Sequence, residues 1–125
     1  MDKLALSGPL CAVLLAAGSA LAECRVSDFE IRITKAQWVD ECRRRSCPIM
    51  KGAAVLTNKC AVAASPQVRI VGLNKAGDPI AVHEAWPFGA SNIAPGAHPF
   101  SLDQWLDYDP EIARFQAEVV RITTW

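Results

Sequence analysis

The sequence predicts an all-β protein, a single antiparallel β-sandwich of two sheets with one or two short helical turns, preceded by a signal peptide. Short apolar segments follow one another at close spacing and are separated by glycine and proline turns, which is typical of a sandwich. Several segments alternate apolar and polar residues, the period of a half-buried strand. Four of the five cysteines lie in one stretch behind an apolar leader, at Cys24, Cys42, Cys47 and Cys60.

The leader, residues 1–22, is predicted to be a cleaved signal peptide. It closes on Ala20-Leu21-Ala22, the small-residue pattern that precedes a cleavage site. An uncleaved anchor would need about 20 strongly apolar residues, and glycine, proline and serine interrupt this stretch. A lipid on Cys24 would require a small residue before it, where the chain has Glu23. We therefore expect a soluble periplasmic or secreted protein.

Composition indicates one domain, residues 23–125, without net charge. Removal of 22 of the 125 residues leaves 103, enough for a single domain to which disulfides would add useful stability. The chain has 13 basic and 13 acidic residues, and the leader removes one of each. Domains that bind nucleic acid are usually strongly basic. We therefore expect no nucleic acid and no membrane insertion after cleavage, and a partner that is another exported or envelope protein.

The first two strands are predicted from different patterns of apolar residues, one alternating and one nearly continuous. Apolar and polar residues alternate from Phe29 to Thr34, which indicates a strand. The alternation slips near Lys35 and resumes at Ala36 and Trp38, which indicates a bulge or a strand end. Residues Ile49–Thr57 are apolar on both faces apart from Lys51, as expected of a central strand.

A hairpin and a long loop follow. Residues Val68–Leu73 and Ile80–Trp86 flank a five-residue turn at 74–78, in which Gly77 supplies a positive φ. Residues 87–99 are rich in glycine and proline, so we predict a loop there.

The last third of the mature chain mixes strand and helix signals. Residues Phe100–Leu102 predict a short strand. The stretch Ser101–Gln104 fits a capping box and Asp109-Pro110 fits a helix start, so residues 103–113 are predicted to form one or two helical turns. Residues Phe115–Ile122 predict the closing strand.

The layout from Ile49 onward resembles that of FxLYD-type and related immunoglobulin-like modules of exported bacterial proteins. The resemblance implies an immunoglobulin-like sandwich with a non-catalytic role, and it carries over no site residues. None of the letters of the family signature is kept. The segments that carry the resemblance are Gly52–Asn58, Val68–Asn74, Ile93–Gly96, Phe100–Leu102 and Phe115–Val119, with Gly77 in the turn.

The cysteines are predicted to form nested disulfides, Cys24–Cys60 and Cys42–Cys47. In an antiparallel hairpin the residue numbers of paired positions have a nearly constant sum, and the sums of these two pairs are nearly equal. The inner bridge would close the loop between the strands, and the outer one would join the strand ends.

The alternative to a structural disulfide is that Cys42 and Cys47 carry out redox chemistry. The neighbouring arginines would lower the pKa of a free thiol and make it reactive. However, the spacing is not Cys-x-x-Cys, and no thioredoxin-like pattern surrounds the pair. A structural disulfide is therefore the preferred interpretation.

Other chemistry is weakly represented in the sequence. His83 and His98 have no cysteine or second histidine at metal-ligand spacing, and Ser91 and Ser101 lack the setting of a hydrolase nucleophile. We therefore expect no enzyme, no catalytic residue, no metal and no cofactor. A calcium loop would need the EF-hand spacing and its glycine, which are missing among the acidic residues Asp103, Asp107, Asp109 and Glu111.

Two sets of residues are candidates for binding. Loop 87–99 is the longest segment without periodicity, and loops carry function on rigid sandwiches; its candidates are Trp86, Phe88 and His98. The second set is Arg43, Arg44 and Arg45, which counting strand reversals places at the end of the sandwich that carries the acidic residues.

The expected function is that of a non-catalytic binding or assembly module that acts through protein–protein or small-ligand contacts. The alternatives are a small redox protein or enzyme that uses Cys42 and Cys47, and a secreted inhibitor that uses loop 87–99.

Overall fold

Residues 24–41 and 48–125, which the computed structural model describes, form six strands and one short 3-10 turn, Val26–Asp28. The strands pair in two antiparallel sheets with the orders β1-β2-β5 and β4-β3-β6. The protein is therefore an all-β, two-sheet antiparallel sandwich, as predicted. The strands are β1 (Phe29–Asp40), β2 (Pro48–Asn58), β3 (Ser65–Leu73), β4 (Pro79–Ala85), β5 (Gly96–Ser101) and β6 (Arg114–Thr123).

The first hairpin contains the predicted bulge. The register shifts between Ile33 and Lys35, so Thr34 is the extra residue, and its hydroxyl donates to the carbonyl of Ala53 at 3.0 Å. The bulge brings the backbone of β1 so close to Gly52 that a Cβ there would collide with the carbonyl oxygen of Lys35. Strand β2 is the central strand of its sheet, as its two apolar faces predicted.

The second hairpin also has the predicted turn. Gly77 adopts a φ of 88° and donates its N–H to the carbonyl of Asn74 at 2.9 Å. The Asn74 side chain accepts the N–H of Asp78 at 2.9 Å, which closes the turn from the other side. A side chain at position 77 would be strained by this φ, so glycine suits the turn.

The predicted loop 87–99 is shorter than expected, because β5 begins at Gly96 and includes Pro99. Proline lacks an N–H for a sheet ladder, but it is tolerated on an edge strand, and β5 lies at the edge beside β2. The connection between β4 and β5 is therefore residues 86–95.

Residues 102–113 form turns rather than helix. Two backbone hydrogen bonds close them, from Trp105 to the carbonyl of Leu102 and from Ile112 to the carbonyl of Asp109. The predicted capping residues do bind backbone N–H groups: the Ser101 hydroxyl accepts from Asp103 and the Asp109 carboxylate accepts from Glu111. The side chains of Leu102, Leu106 and Ile112 are buried, and this burial directs the path of the segment across one end of the core.

The core lies between the inner faces of the sheets. Strands β2 and β3 contribute Met50, Leu56, Val68 and Ile70, all fully buried. Trp38 and Trp105 are half-buried against this core.

One disulfide joins Cys24, before β1, to Cys60, just after β2, with a Cα–Cα distance of 5.7 Å. The predicted outer bridge is confirmed. The predicted bridge Cys42–Cys47 and the predicted signal peptide, residues 1–22, lie outside the described residues. A native disulfide is typical of an oxidising compartment. Within residues 24–41 and 48–125, no helix has the length and apolar character to cross a membrane.

Candidate binding surfaces

The strand directions define two ends of the sandwich. We call the end that carries the disulfide, the 86–95 connection and Trp125 the disulfide pole. Strand β1 starts there and β2 ends there, since Phe29 pairs with Asn58. We call the opposite end, which carries residues 102–113, the acidic pole.

Asn58 organises the disulfide pole from inside. Its side chain is 2% exposed. The amide nitrogen donates to the carbonyls of Val62 and Ile93 at 3.1 and 3.0 Å, and the amide oxygen accepts the N–H of Cys60 at 2.8 Å. One buried side chain therefore joins the β2–β3 connection, which contains the disulfide residue Cys60, to the 86–95 connection, which is distant in sequence.

The 86–95 connection is fixed by further hydrogen bonds. Ala64 and Ile93 exchange two backbone hydrogen bonds of 3.2 and 2.8 Å, and the buried Ser65 hydroxyl donates to the carbonyl of Gly89 at 2.9 Å. These contacts hold its backbone against the β2–β3 connection. The backbone that carries the side chains of the 86–95 connection is therefore ordered.

Trp125 is the most exposed large apolar residue in the described part of the chain, at 63%. The Asn92 side chain holds its backbone on both sides: the amide nitrogen donates to the Trp125 carbonyl at 3.1 Å and the amide oxygen accepts its N–H at 3.0 Å. The half-buried Trp86 ring packs edge-on against it, with ring centroids 5.9 Å apart. Val26 and Val62 are exposed apolar residues of the same pole.

Phe88 and His98 are brought together, but away from this tryptophan pair. The Phe88 ring lies 6.0 Å from His98 and 5.7 Å from Phe100. His98 Nε2 lies 2.6 Å from the carbonyl oxygen of Ala94, a contact in which a protonated Nε2 donates. Both predicted site residues are therefore half-buried and bound to their own loop and strand, while Trp86 pairs with Trp125.

The other histidine belongs to the same row of rings. His83 lies 5.6 Å from Trp105, which in turn lies 5.9 Å from Phe100. Within the described part of the chain, no three histidine, cysteine or acidic side chains are grouped as metal ligands would be. A ligand of these rings would therefore be bound by apolar and aromatic contacts.

The acidic pole carries an ion-pair cluster. Lys51 Nζ lies 3.4 Å from a Glu41 carboxylate oxygen and 3.5 Å from one of Asp103. The Coulomb attraction of Asp103, followed by that of Glu41, raises the pKa of Lys51. The backbone N–H of Gly52 donates to Asp103 at 2.9 Å and is the main cause that holds the pKa of this carboxyl below its ordinary value.

The arginine set lies outside the described residues. Its neighbours Glu41 and Pro48 are described, and Glu41 meets Asp103 through Lys51. The strand ends that flank the segment thus lie at the acidic pole, as the count of strand reversals predicted. The described residues Glu41 and Pro48 therefore lie at the end of the sandwich opposite the 86–95 connection.

Replacement of Asp103 with asparagine is expected to lower stability at neutral pH and to leave it unchanged in acid. A carboxyl whose pKa is depressed in the folded state contributes stability above its unfolded pKa and loses it as the pH falls through the folded pKa. Urea unfolding of the parent and Asp103→Asn proteins over a pH series checks this. A stability difference that persists at low pH would contradict the assigned role of the charge.

The arrangement as a whole offers contact surfaces. The disulfide pole presents an aromatic pair on an ordered frame, and the acidic pole presents charges of both signs. Comparison with models of protein families, with curated proteins and with solved structures finds no match for this chain.

Proposed function

We propose that the chain is an exported, non-catalytic binding or assembly module of the immunoglobulin-like type, which binds its partner through the disulfide pole. The observation that carries the proposal is the exposure of Trp125, whose backbone both donates to and accepts from the Asn92 side chain. An exposed tryptophan that is already ordered loses little conformational freedom when a partner covers it. Such aromatic anchors contribute a large share of binding energy in protein interfaces.

The surroundings of Trp125 support an interface. Trp86 extends the aromatic surface, and exposed Val26 and Val62 add apolar area at the same pole. The Cys24 sulfur lies 3.8 Å from the carbonyl oxygen of Val62, and the Asn58 amide donates to the same oxygen at 3.1 Å, so the backbone beside that side chain is held in place. A cluster of exposed apolar groups on a rigid frame is typical of a contact site for another protein.

The partner is proposed to be another exported or envelope protein. The disulfide suits an oxidising compartment, and the leader would direct the chain there. The formal charge of zero supports contact with a protein rather than with nucleic acid.

Removal of the tryptophan pair is expected to weaken partner binding at least about tenfold, because both anchors of the interface are lost. The partner is first captured from the native compartment by chemical cross-linking with the mature protein as bait. Its affinity is then measured for the parent and for Trp86→Ala/Trp125→Ala.

Ile80→Ala is the matched control, since Ile80 is an exposed apolar residue of β4 outside the disulfide pole. The control is expected to bind like the parent. Unchanged affinity of the double variant would place the interface elsewhere on the sandwich.

A further inference from the structure

The four sheet edges differ in how they are protected against strand addition. Strand β1 has its bulge at Thr34, β5 contains Pro99, and β6 has a bulge at Val120, where the register with β3 shifts. Bulges and proline on an edge oppose pairing with another strand. In these three strands the bulge or proline lies within the body of the edge and interrupts it as a template for a further strand.

Strand β4 has such features only at its start, where Pro79 is followed by a bulge at Ile80, and its second half has neither. Its register with β3 is regular from Ala81 to Ala85, and among the described strands it pairs with β3 alone. Val82, in the middle of this edge, is 57% exposed. The one charged residue here, Glu84, is paired with Arg69 at 2.6 Å, which reduces its power to repel another strand.

A groove of about 520 Å³ runs beside this edge. Residues Ala81, Val82 and His83 of β4 line one side of it, and the turn segment 104–109 forms the far wall. The volume lies within the range of sites that bind small ligands or single side chains. The far wall supplies Trp105 and Tyr108 as well as two carboxylates.

The carboxylates define the chemistry that the groove would accept. Asp107 and Asp109 line it, and within residues 24–41 and 48–125 neither is paired with a cation. Carboxylates beside aromatic rings suit a lysine or arginine side chain, which gains both charge and cation–π attraction.

From the edge and the groove together we infer that β4 receives an extended peptide with alternating aliphatic and basic side chains. The peptide pairs its backbone with β4 as an added strand. Because side chains alternate across a sheet, one set lies beside Val82 on the outer face and the other faces the groove. Aliphatic residues suit the first set and basic residues the second, toward Asp107 and Asp109.

The inference is tested with the mature, disulfide-bonded protein and a labelled six-residue peptide that alternates valine and lysine. Fluorescence anisotropy is expected to show binding that weakens as salt rises from about 50 to about 500 mM. A peptide with glutamate in place of lysine is expected to bind at least about tenfold more weakly. Amide chemical-shift changes should fall on Ala81–Ala85.

Two variants at one position separate edge pairing from loss of fold. Val82→Lys puts a charged side chain where the aliphatic side chains of the peptide would pack and is expected to reduce affinity at least about tenfold, whereas Val82→Thr keeps a β-branched side chain and should bind like the parent. Asp107→Asn is expected to weaken binding and to reduce its dependence on salt.

Several results would overturn the inference. These are equal binding of the lysine and glutamate peptides, an affinity unchanged by Val82→Lys, or no binding at about 1 mM peptide. Self-association that protects β4 amides from exchange would assign the edge to a second copy instead. Binding that emerges only after replacement of the three arginines with serine would assign the groove to the chain's own segment, the residues Arg43, Arg44 and Arg45.

Discussion

Replacing Asn58 with aspartate is expected to lower the free energy of unfolding by about 3–5 kcal/mol. The carboxylate cannot donate, so the carbonyls of Val62 and Ile93 lose their shared donor and face a buried negative charge. Each orphaned polar group costs about 1–3 kcal/mol, and repulsion adds to this. Urea unfolding followed by tryptophan fluorescence at neutral pH measures the loss.

The neighbouring exposed residue provides the control for Asn58. Lys59→Ala removes a surface ion pair with Glu30 and is expected to change stability by about 0–1 kcal/mol. The deficit of Asn58→Asp should shrink in acid, because a protonated carboxyl donates to one of the two carbonyls. A loss below about 1 kcal/mol at neutral pH would show that the pole does not depend on this side chain.

Removal of the disulfide is expected to cost about 4 kcal/mol. The bridge spans a sequence separation of 36 residues, and the chain-entropy relation for a loop of this length gives that value. The variant is Cys24→Ser/Cys60→Ser, which leaves both side chains small and polar. Thermal and urea unfolding against the parent protein measure the loss.

Ser27→Ala, a change at an exposed residue close to the bridge, is the control for this variant and should unfold like the parent. The double variant should also expose Val62 and the residues before β1 to faster amide exchange, because Cys24 no longer ties that segment to the end of β2. A double variant as stable as the parent would mean that packing alone holds this pole.

Local sequence features predicted much of the fold. The slip of alternation near Lys35 predicted the bulge, because a strand repeats every two residues and an extra residue breaks that period. Gly77 predicted the turn because few other residues adopt its φ. The bridge Cys24–Cys60 was predicted because the residue numbers of paired positions in one antiparallel hairpin have a nearly constant sum.

Features that depend on distant neighbours could not be predicted. Pro99 lies in a strand only because that strand is an edge, which no local pattern reveals. Residues 102–113 carry helix-start signals, yet burial of Leu106 and Ile112 directs them into turns. The contact of Trp86 with Trp125 joins residues far apart in sequence, and no local pattern pairs them.

The central claim, that the disulfide pole is the partner surface, is tested most directly by photo-cross-linking in the native compartment. A photoreactive phenylalanine derivative is placed at position 125 in one strain and at the exposed position 80 of β4 in another. We predict one discrete covalent adduct with another exported protein from position 125, and none of that mass from position 80. Adducts of the same protein from position 80 alone, with none from position 125, would contradict the claim.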